Sequence, residues 1–155
     1  MPVKKLKDFL DERGVKYVLI SHSPAFTAQE VAASAHVPGK EMAKTVVIKI
    51  DGEMALAVLP ASYLIDLDLL KLATYSDVVE LAGEKEFKDT FPGCEVGAMP
   101  PFGNLYAMRT LVADSLAEDE SIVFNAGSHT ELIRMTFEDF RRVVEPEIVE
   151  FTAHV

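Results

Sequence analysis

Ala43-Lys44-Thr45-Val46-Val47-Ile48-Lys49-Ile50-Asp51-Gly52-Glu53-Met54-Ala55-Leu56-Ala57-Val58-Leu59-Pro60 is the stretch whose pattern points to the fold. β-branched residues crowd its first half, and small and branched apolar residues fill its second. Between them stands Asp51-Gly52, a pair that accepts the positive φ angles of a two-residue hairpin turn. The spacing predicts two antiparallel strands, over 43–50 and 53–60.

Working toward the N-terminus, Val3, Leu6, Phe9, Leu10 and Arg13 recur at helical spacing over 3–13, and Gly14 is a stop. Residues 16–20 read as a strand. Thr27 with Glu30 three positions later is a capping-box pattern for a short helix to about Ala35, closed by Pro38-Gly39. Toward the C-terminus, Asp66 caps a helix to about Ala73, and 84–91 reads as a helix stopped by Pro92-Gly93. Residues 94–103 are loop-like. Strands follow over 105–112 and 121–125, and Thr136 with Asp139 caps a last helix ending before Pro146. Helices mixed with at least one hairpin predict an α+β domain with a mixed, largely antiparallel sheet.

The 155 residues suit one domain spanning 1–155, with no repeat or low-complexity linker to divide them. A chain of this size buries about 68–70% of its unfolded surface, enough to fold without disulfides or metals. With 49% hydrophobic and 26% charged residues the composition excludes disorder. The apolar runs are too short to cross a membrane, and the start of the chain lacks the apolar stretch of a signal peptide. The lone Cys94 excludes an internal disulfide and fits a reducing cytosol. The net charge of −10 counts against a large nucleic-acid footprint but leaves room for contact with a short single-stranded end. Lys4, Lys5, Lys7, Arg13 and Lys16 cluster early, as a solvated helix face or a phosphate contact.

Neither glycine-rich nucleotide-binding pattern is present, nor a Gly-x-Ser-x-Gly nucleophile elbow. His22, His36, His129 and His154 lack ligand-like spacing, so no metal and no cofactor is expected. Ser128 and His129 are neighbours in sequence, a poor geometry for a nucleophile and its base. A Cys94–His129 pair is conceivable in three dimensions, although a lone cysteine more often serves as a small buried hydrophobe.

Lys44 opens a strand, and strand parity places it with Val46, Ile48 and Ile50 on the apolar face, while Thr45, Val47 and Lys49 share the other. A lysine on the core side either snorkels to water or sits in a pocket as a positioned cation. Two loops stand beside it as candidates. Gly97-Ala98-Met99-Pro100-Pro101-Phe102-Gly103 is stiffened by proline and opened by glycine, so it would present main-chain groups. Asn125-Ala126-Gly127-Ser128-His129-Thr130 is a small-residue loop after a strand, whose amides suit a pocket wall. Each is also readable as an ordinary turn, and for the Gly97–Gly103 segment taken alone that is the better reading.

Taken in order, Ala43-Lys44-Thr45-Val46-Val47, Gly97-x-x-x-Pro101 with Phe102-Gly103, and Asn125-Ala126-Gly127-Ser128-His129 resemble the YbaK/prolyl-tRNA-synthetase-associated domain family. His22-Ser23-Pro24-Ala25-Phe26-Thr27 resembles its early segment, and the similarity runs over about residues 3–145. The resemblance implies an α+β domain around a mixed, partly barrel-like sheet, and a free-standing, cytoplasmic aminoacyl-tRNA deacylase. The substrate implied is the acceptor end of a mischarged tRNA, commonly proline tRNA carrying alanine or cysteine. An aminoacyl-tRNA synthetase is a possible partner, and the protein is expected to be a monomer away from membranes.

On this resemblance Lys44 is the catalytic cation. Gly97, Ala98, Met99, Pro100 and Pro101, with Gly127, Ser128, His129, His22, Phe26 and Thr27, form the substrate site. Many relatives carry a Gly-Gly-Lys-Arg-Gly type sequence where this chain has Gly127-Ser128-His129, so substrate preference is not carried over. Two other classes fit the residues: a non-catalytic module binding tRNA or a small ligand, and a small-molecule ester or amide hydrolase working through Cys94 or His129.

Overall fold

The computed structural model describes residues 2–21, 41–87, 89–95 and 97–154. The predicted capped helix over 27–35 lies outside the described residues. Helix α1 (Pro2–Glu12) leads to β1 (Tyr17–Ser21). Its Leu6 and Leu10 are fully buried, as the stripe requires, and Arg13 stacks on the Phe9 ring at 3.8 Å. The early basic cluster is mostly spent within the fold. Lys4 pairs with Asp8 at 3.0 Å, and Lys5 lies over the Tyr106 ring at 4.9 Å.

Strands β2 (Ala43–Ile50) and β3 (Glu53–Pro60) form the predicted hairpin, in register from Ile50 opposite Glu53 to Ala43 opposite Pro60. Asp51 and Gly52 both take positive φ, 48° and 85°, which is why this dipeptide closes the turn. The Asp51 carboxylate then accepts from the amides of Asp77 and Val78, at 3.0 and 2.8 Å, and holds the approach to β5 (Val79–Leu81).

The remaining elements are β4 (Tyr63–Ile65), α2 (Leu67–Thr74), α3 (Glu84–Phe87), β6 (Arg109–Ala113), β7 (Ser121–Asn125), β8 (Glu131–Thr136), α4 (Phe137–Val144), β9 (Glu147–Val149) and β10 (Thr152–His154). Asp66 caps α2 by accepting from the amides of Asp68 and Leu69, and Thr136 caps α4 by accepting from Asp139, both as the sequence predicts. A five-stranded sheet has the order β5-β2-β3-β6-β9 and mixes antiparallel with parallel pairs. A three-stranded antiparallel sheet, β1-β8-β7, joins it through a parallel bridge between Met42 and Val123. β4 pairs with β10. The described strands make a mixed α+β fold without closing a barrel.

Three expectations shift. The strand expected over 105–112 divides into a 3-10 turn (Gly103–Tyr106) and β6, because Leu105 bonds back to Phe102 and Met108 to Gly103. The helix expected over 84–91 is regular only over Glu84–Phe87. Phe87 and Phe91 there turn inward onto Val47, Leu56 and Met99. Finally, β2 is apolar on both faces. Val46, Ile48 and Ile50 pack with Leu59, Leu70 and Phe151, whereas Val47 packs with Phe87, Phe91 and Met99. The reason is sandwiching: α2 and Phe151 cover one face of the hairpin, and the other is covered by α1, α4 and the β7–β8 pair near Ala43 and Val58 and by Phe87, Phe91 and Met99 near Val47 and Leu56.

Candidate active site

β7 ends at Asn125 and β8 begins at Glu131, so the chain reverses through residues 126–130. The Ala126 amide donates to the Glu131 carbonyl at 3.0 Å and closes the reversal. Gly127 holds φ at 105°, a value that favours glycine. Ala126, Gly127 and His129 are buried, and Ser128 is half-buried with its hydroxyl 3.3 Å from that of Thr130.

The Gly97–Pro101 loop docks on this reversal through main-chain bonds. The Glu95 amide donates to the Gly127 carbonyl at 2.9 Å, and the Gly127 amide donates to the Ala98 carbonyl at 2.9 Å. Beyond Pro101 the chain is pinned by Phe102, whose ring meets Phe124 and Phe140 at 5.4 and 5.6 Å. Met99 sends its side chain into the core beside Val47 and Leu56, so its share in the loop is backbone. Gly97 is exposed at φ 84°, and a Cβ there would lie 3.6 Å from Cε1 of His129. Nε2 of His129 lies 3.8 Å from the Glu95 carboxylate, an ion pair only when the imidazole is protonated. The fold thus brings both predicted loops together, over Gly97–Pro101 and Gly127–His129. His22, Phe26 and Thr27 lie outside the described residues.

Lys44, the second residue of β2, is half-buried. It lines an apolar cavity of about 330 Å³ with Val46, Leu64, Ile65, Leu67 and Leu81. Burial holds its ammonium below the ordinary lysine range. Lys49 on the same strand differs: Glu86 at 2.7 Å and Glu80 at 3.2 Å neutralise it, and its pKa rises through those hydrogen bonds. Among the described residues Lys44 has no ion-pair partner. A half-buried cation at an apolar cavity, without a counter-ion of its own, is suited to an anionic guest.

The Met42–Val123 bridge relates Lys44 to the second loop. Paired residues of a parallel bridge point to one side, and parity repeats every two positions. Two residues on from Met42 is Lys44, and two on from Val123 is Asn125. By that parity Lys44 and Asn125 point to the same side, and Asn125 is the last residue of β7, from which the Gly127–His129 loop departs. Asn125 opens the candidate loop read in the sequence but is not among the substrate-site residues named there, and Glu95 beside His129 is absent from that reading altogether. Their types are unremarkable in a loop, and only the fold sets them here.

Cys94 does not pair with His129. Its thiol lies 3.8 Å from the Tyr106 hydroxyl, and burial pushes its pKa up, the opposite of an activated nucleophile. Among the described residues no group of three or more His, Cys, Asp and Glu could hold a metal ion, and no helix is long and apolar enough to cross a membrane.

Comparison with known proteins bears on this arrangement. The aminoacyl-tRNA editing domain family matches residues 22–143. The chain is 29% identical to the multifunctional Ser/Thr-tRNA deacylase ProXp-y of Escherichia coli strain K12, over 96% of this chain and 91% of that protein. Among solved structures, a hypothetical protein superposes with a TM-score of 0.86 at 20% identity, covering 96% of this chain and 99% of the other. A candidate trans-editing enzyme for prolyl tRNA synthetase superposes with a TM-score of 0.82 at 17% identity, covering 98% and 97%. At these identities the two structures speak for the fold alone.

Proposed function

The chain belongs to the aminoacyl-tRNA editing domain family, and on that footing we propose that it deacylates tRNA mischarged with small amino acids, serine and threonine foremost. Its activity is that of an aminoacyl-tRNA deacylase, hydrolysing the ester of mischarged aminoacyl-tRNA. The preference for a hydroxylated residue over alanine or cysteine rests on the Ser/Thr-tRNA deacylase to which the chain is 29% identical.

The observation that carries the reading is Lys44, half-buried and without an ion-pair partner among the described residues, on the side of the sheet that parity from the Met42–Val123 bridge also gives Asn125, together with two loops locked to each other by main-chain bonds. An aminoacyl ester is already activated, so water attacks it without a protein nucleophile. Catalysis then rests on positioning and electrostatics. Lys44 holds the terminal adenosine or its phosphate and stabilises the charge that grows on the carbonyl oxygen. The Gly97–Pro101 backbone orients the aminoacyl group or the water. The vicinal ribose hydroxyl of the substrate assists as a proton relay. Contact is confined to the acceptor end, in keeping with a net charge of −10. The protein works as a monomer in the cytoplasm, correcting the product of a synthetase.

The test is release of labelled amino acid from one tRNA charged in turn with serine, threonine, alanine, cysteine and its cognate residue. Rapid release of serine and threonine supports the reading. Binding of every species without release would make the protein a tRNA-binding module, and release of alanine alone would overturn the preference.

A further inference from the structure

We propose that Asn125 reads the side-chain hydroxyl of the amino acid being removed, its amide oxygen accepting a hydrogen bond from that hydroxyl. The inference rests on the deacylase reading above. Asn125 is only 6% exposed, and its Oδ1 is buried with no hydrogen-bond partner among the described residues. A buried amide oxygen left unmet is a standing cost to the fold, and such atoms call for an explanation. The neighbouring strand offers none, because the residue opposite Asn125 is Leu132, an apolar side chain. No described residue supplies the donor, so the place is open to one carried by a bound molecule.

The surroundings choose the donor. Asn125 shares its side of the sheet with Lys44, a cation without a carboxylate partner among the described residues. The substrate's α-ammonium would be repelled there. It is better placed at the other end of the loop, where Glu95 stands by His129. A neutral hydroxyl suffers no such repulsion and meets the lone pairs of Oδ1. Alanine has no hydroxyl, and in its place leaves the amide oxygen unmet. A site built to bond a substrate hydroxyl rejects the analogue that lacks it, whereas a merely apolar pocket discriminates weakly.

Asn125→Ala and Asn125→Leu test this by two readouts, hydrolysis and binding. The hydrolysis arm compares one tRNA charged with serine or with alanine. The binding arm measures, by calorimetry, non-hydrolysable amide-linked seryl and alanyl derivatives of 3′-amino-adenosine. Thermal melting is followed for each variant. Wild-type protein is expected to favour the seryl form in both arms, and both variants to narrow that preference about tenfold while their alanyl values stay near wild type. Asn125→Leu is further expected to melt no lower than wild type, because it removes the unmet oxygen and keeps similar bulk. A seryl-to-alanyl ratio unchanged in the variants, an equal fall on both forms, or wild-type protein binding both alike would overturn the inference. Absence of turnover with seryl preference intact in the binding arm would instead remove the deacylase reading and leave Asn125 as a hydroxyl reader.

Discussion

The Gly127 amide donates to the carbonyl of Ala98 across 2.9 Å, joining two loops that lie far apart in sequence. With the return bond from the Glu95 amide to the Gly127 carbonyl, it makes a main-chain clasp. The site's shape therefore depends on how the Gly97–Pro101 loop is anchored at its far end.

That anchor is Gly103. Its amide donates to the Thr110 hydroxyl at 3.0 Å, and a Cβ at this position would meet that hydroxyl and lie 2.6 Å from the Met108 carbonyl oxygen. Backbone cannot yield cheaply here, so Gly103→Ala should cost about 1–3 kcal/mol of stability, as overpacked cores do. Denaturant unfolding measures it, and an unchanged midpoint would refute the crowding.

Lys44→Ala should lower deacylation by about 10²–10³ while leaving the fold intact, the usual loss of a charge-stabilising group. Lys44→Arg should rescue poorly, because a planar fork does not replace a point charge. Lys49→Ala is the control, since its charge is already taken by Glu80 and Glu86. Single-turnover assays on folded variants decide the matter. A Lys44→Ala protein as active as the control would reduce the lysine to a snorkelling edge residue.

The pH profile carries a second reading of the same group. Burial lowers the Lys44 pKa, so the ammonium is lost at a pH below that of an ordinary lysine. Deacylation should fall on the alkaline side as pH rises through that lowered value, and Lys44→Ala should lack this limb once base hydrolysis of the free ester is subtracted. A limb that persists in the variant would assign it to another group.

His129→Ala should change which side chain is removed more than the overall rate. His129 is 7% exposed, faces Glu95, and would touch any side chain added at Gly97. Comparing two mischarged tRNAs of different side-chain size checks it, because one methylene is worth about 1–3 kcal/mol in a fitted pocket. Equal losses on both would point to catalysis or general positioning.

Chelator treatment should leave the rate unchanged, since the mechanism asks only for oriented water and the described residues gather no ligand cluster. Loss of activity that added zinc restores would contradict this.

Much of the local structure was legible because it is written in short-range chemistry. Asp51-Gly52 specifies its turn, Asp66 and Thr136 specify their helix caps, and the stripe of Leu6 and Leu10 specifies the buried side of α1. Strand β8 was not legible. In Glu131-Leu-Ile-Arg-Met-Thr136 the alternation is broken by adjacent apolar residues, and pairing on both sides, with β1 and β7, is what makes it a strand. The Gly103–Tyr106 turn is hidden differently, since Leu105 and Tyr106 read equally well as strand.

The sequence by itself determined the hairpin, the capped helices, the α+β class and the ordered motifs around Lys44, Gly97–Pro101 and Gly127–His129. Each depends on residues a few positions apart, whose conformational preferences act without the rest of the chain. Only the tertiary structure decided that Lys44 lacks an ion-pair partner among the described residues while Lys49 has two, that Cys94 turns to Tyr106, and that the buried Asn125 falls on Lys44's side of the sheet with an oxygen unmet among the described residues. Charge compensation and burial are properties of neighbours in space, and a bridge such as Met42–Val123 joins positions that no local pattern connects.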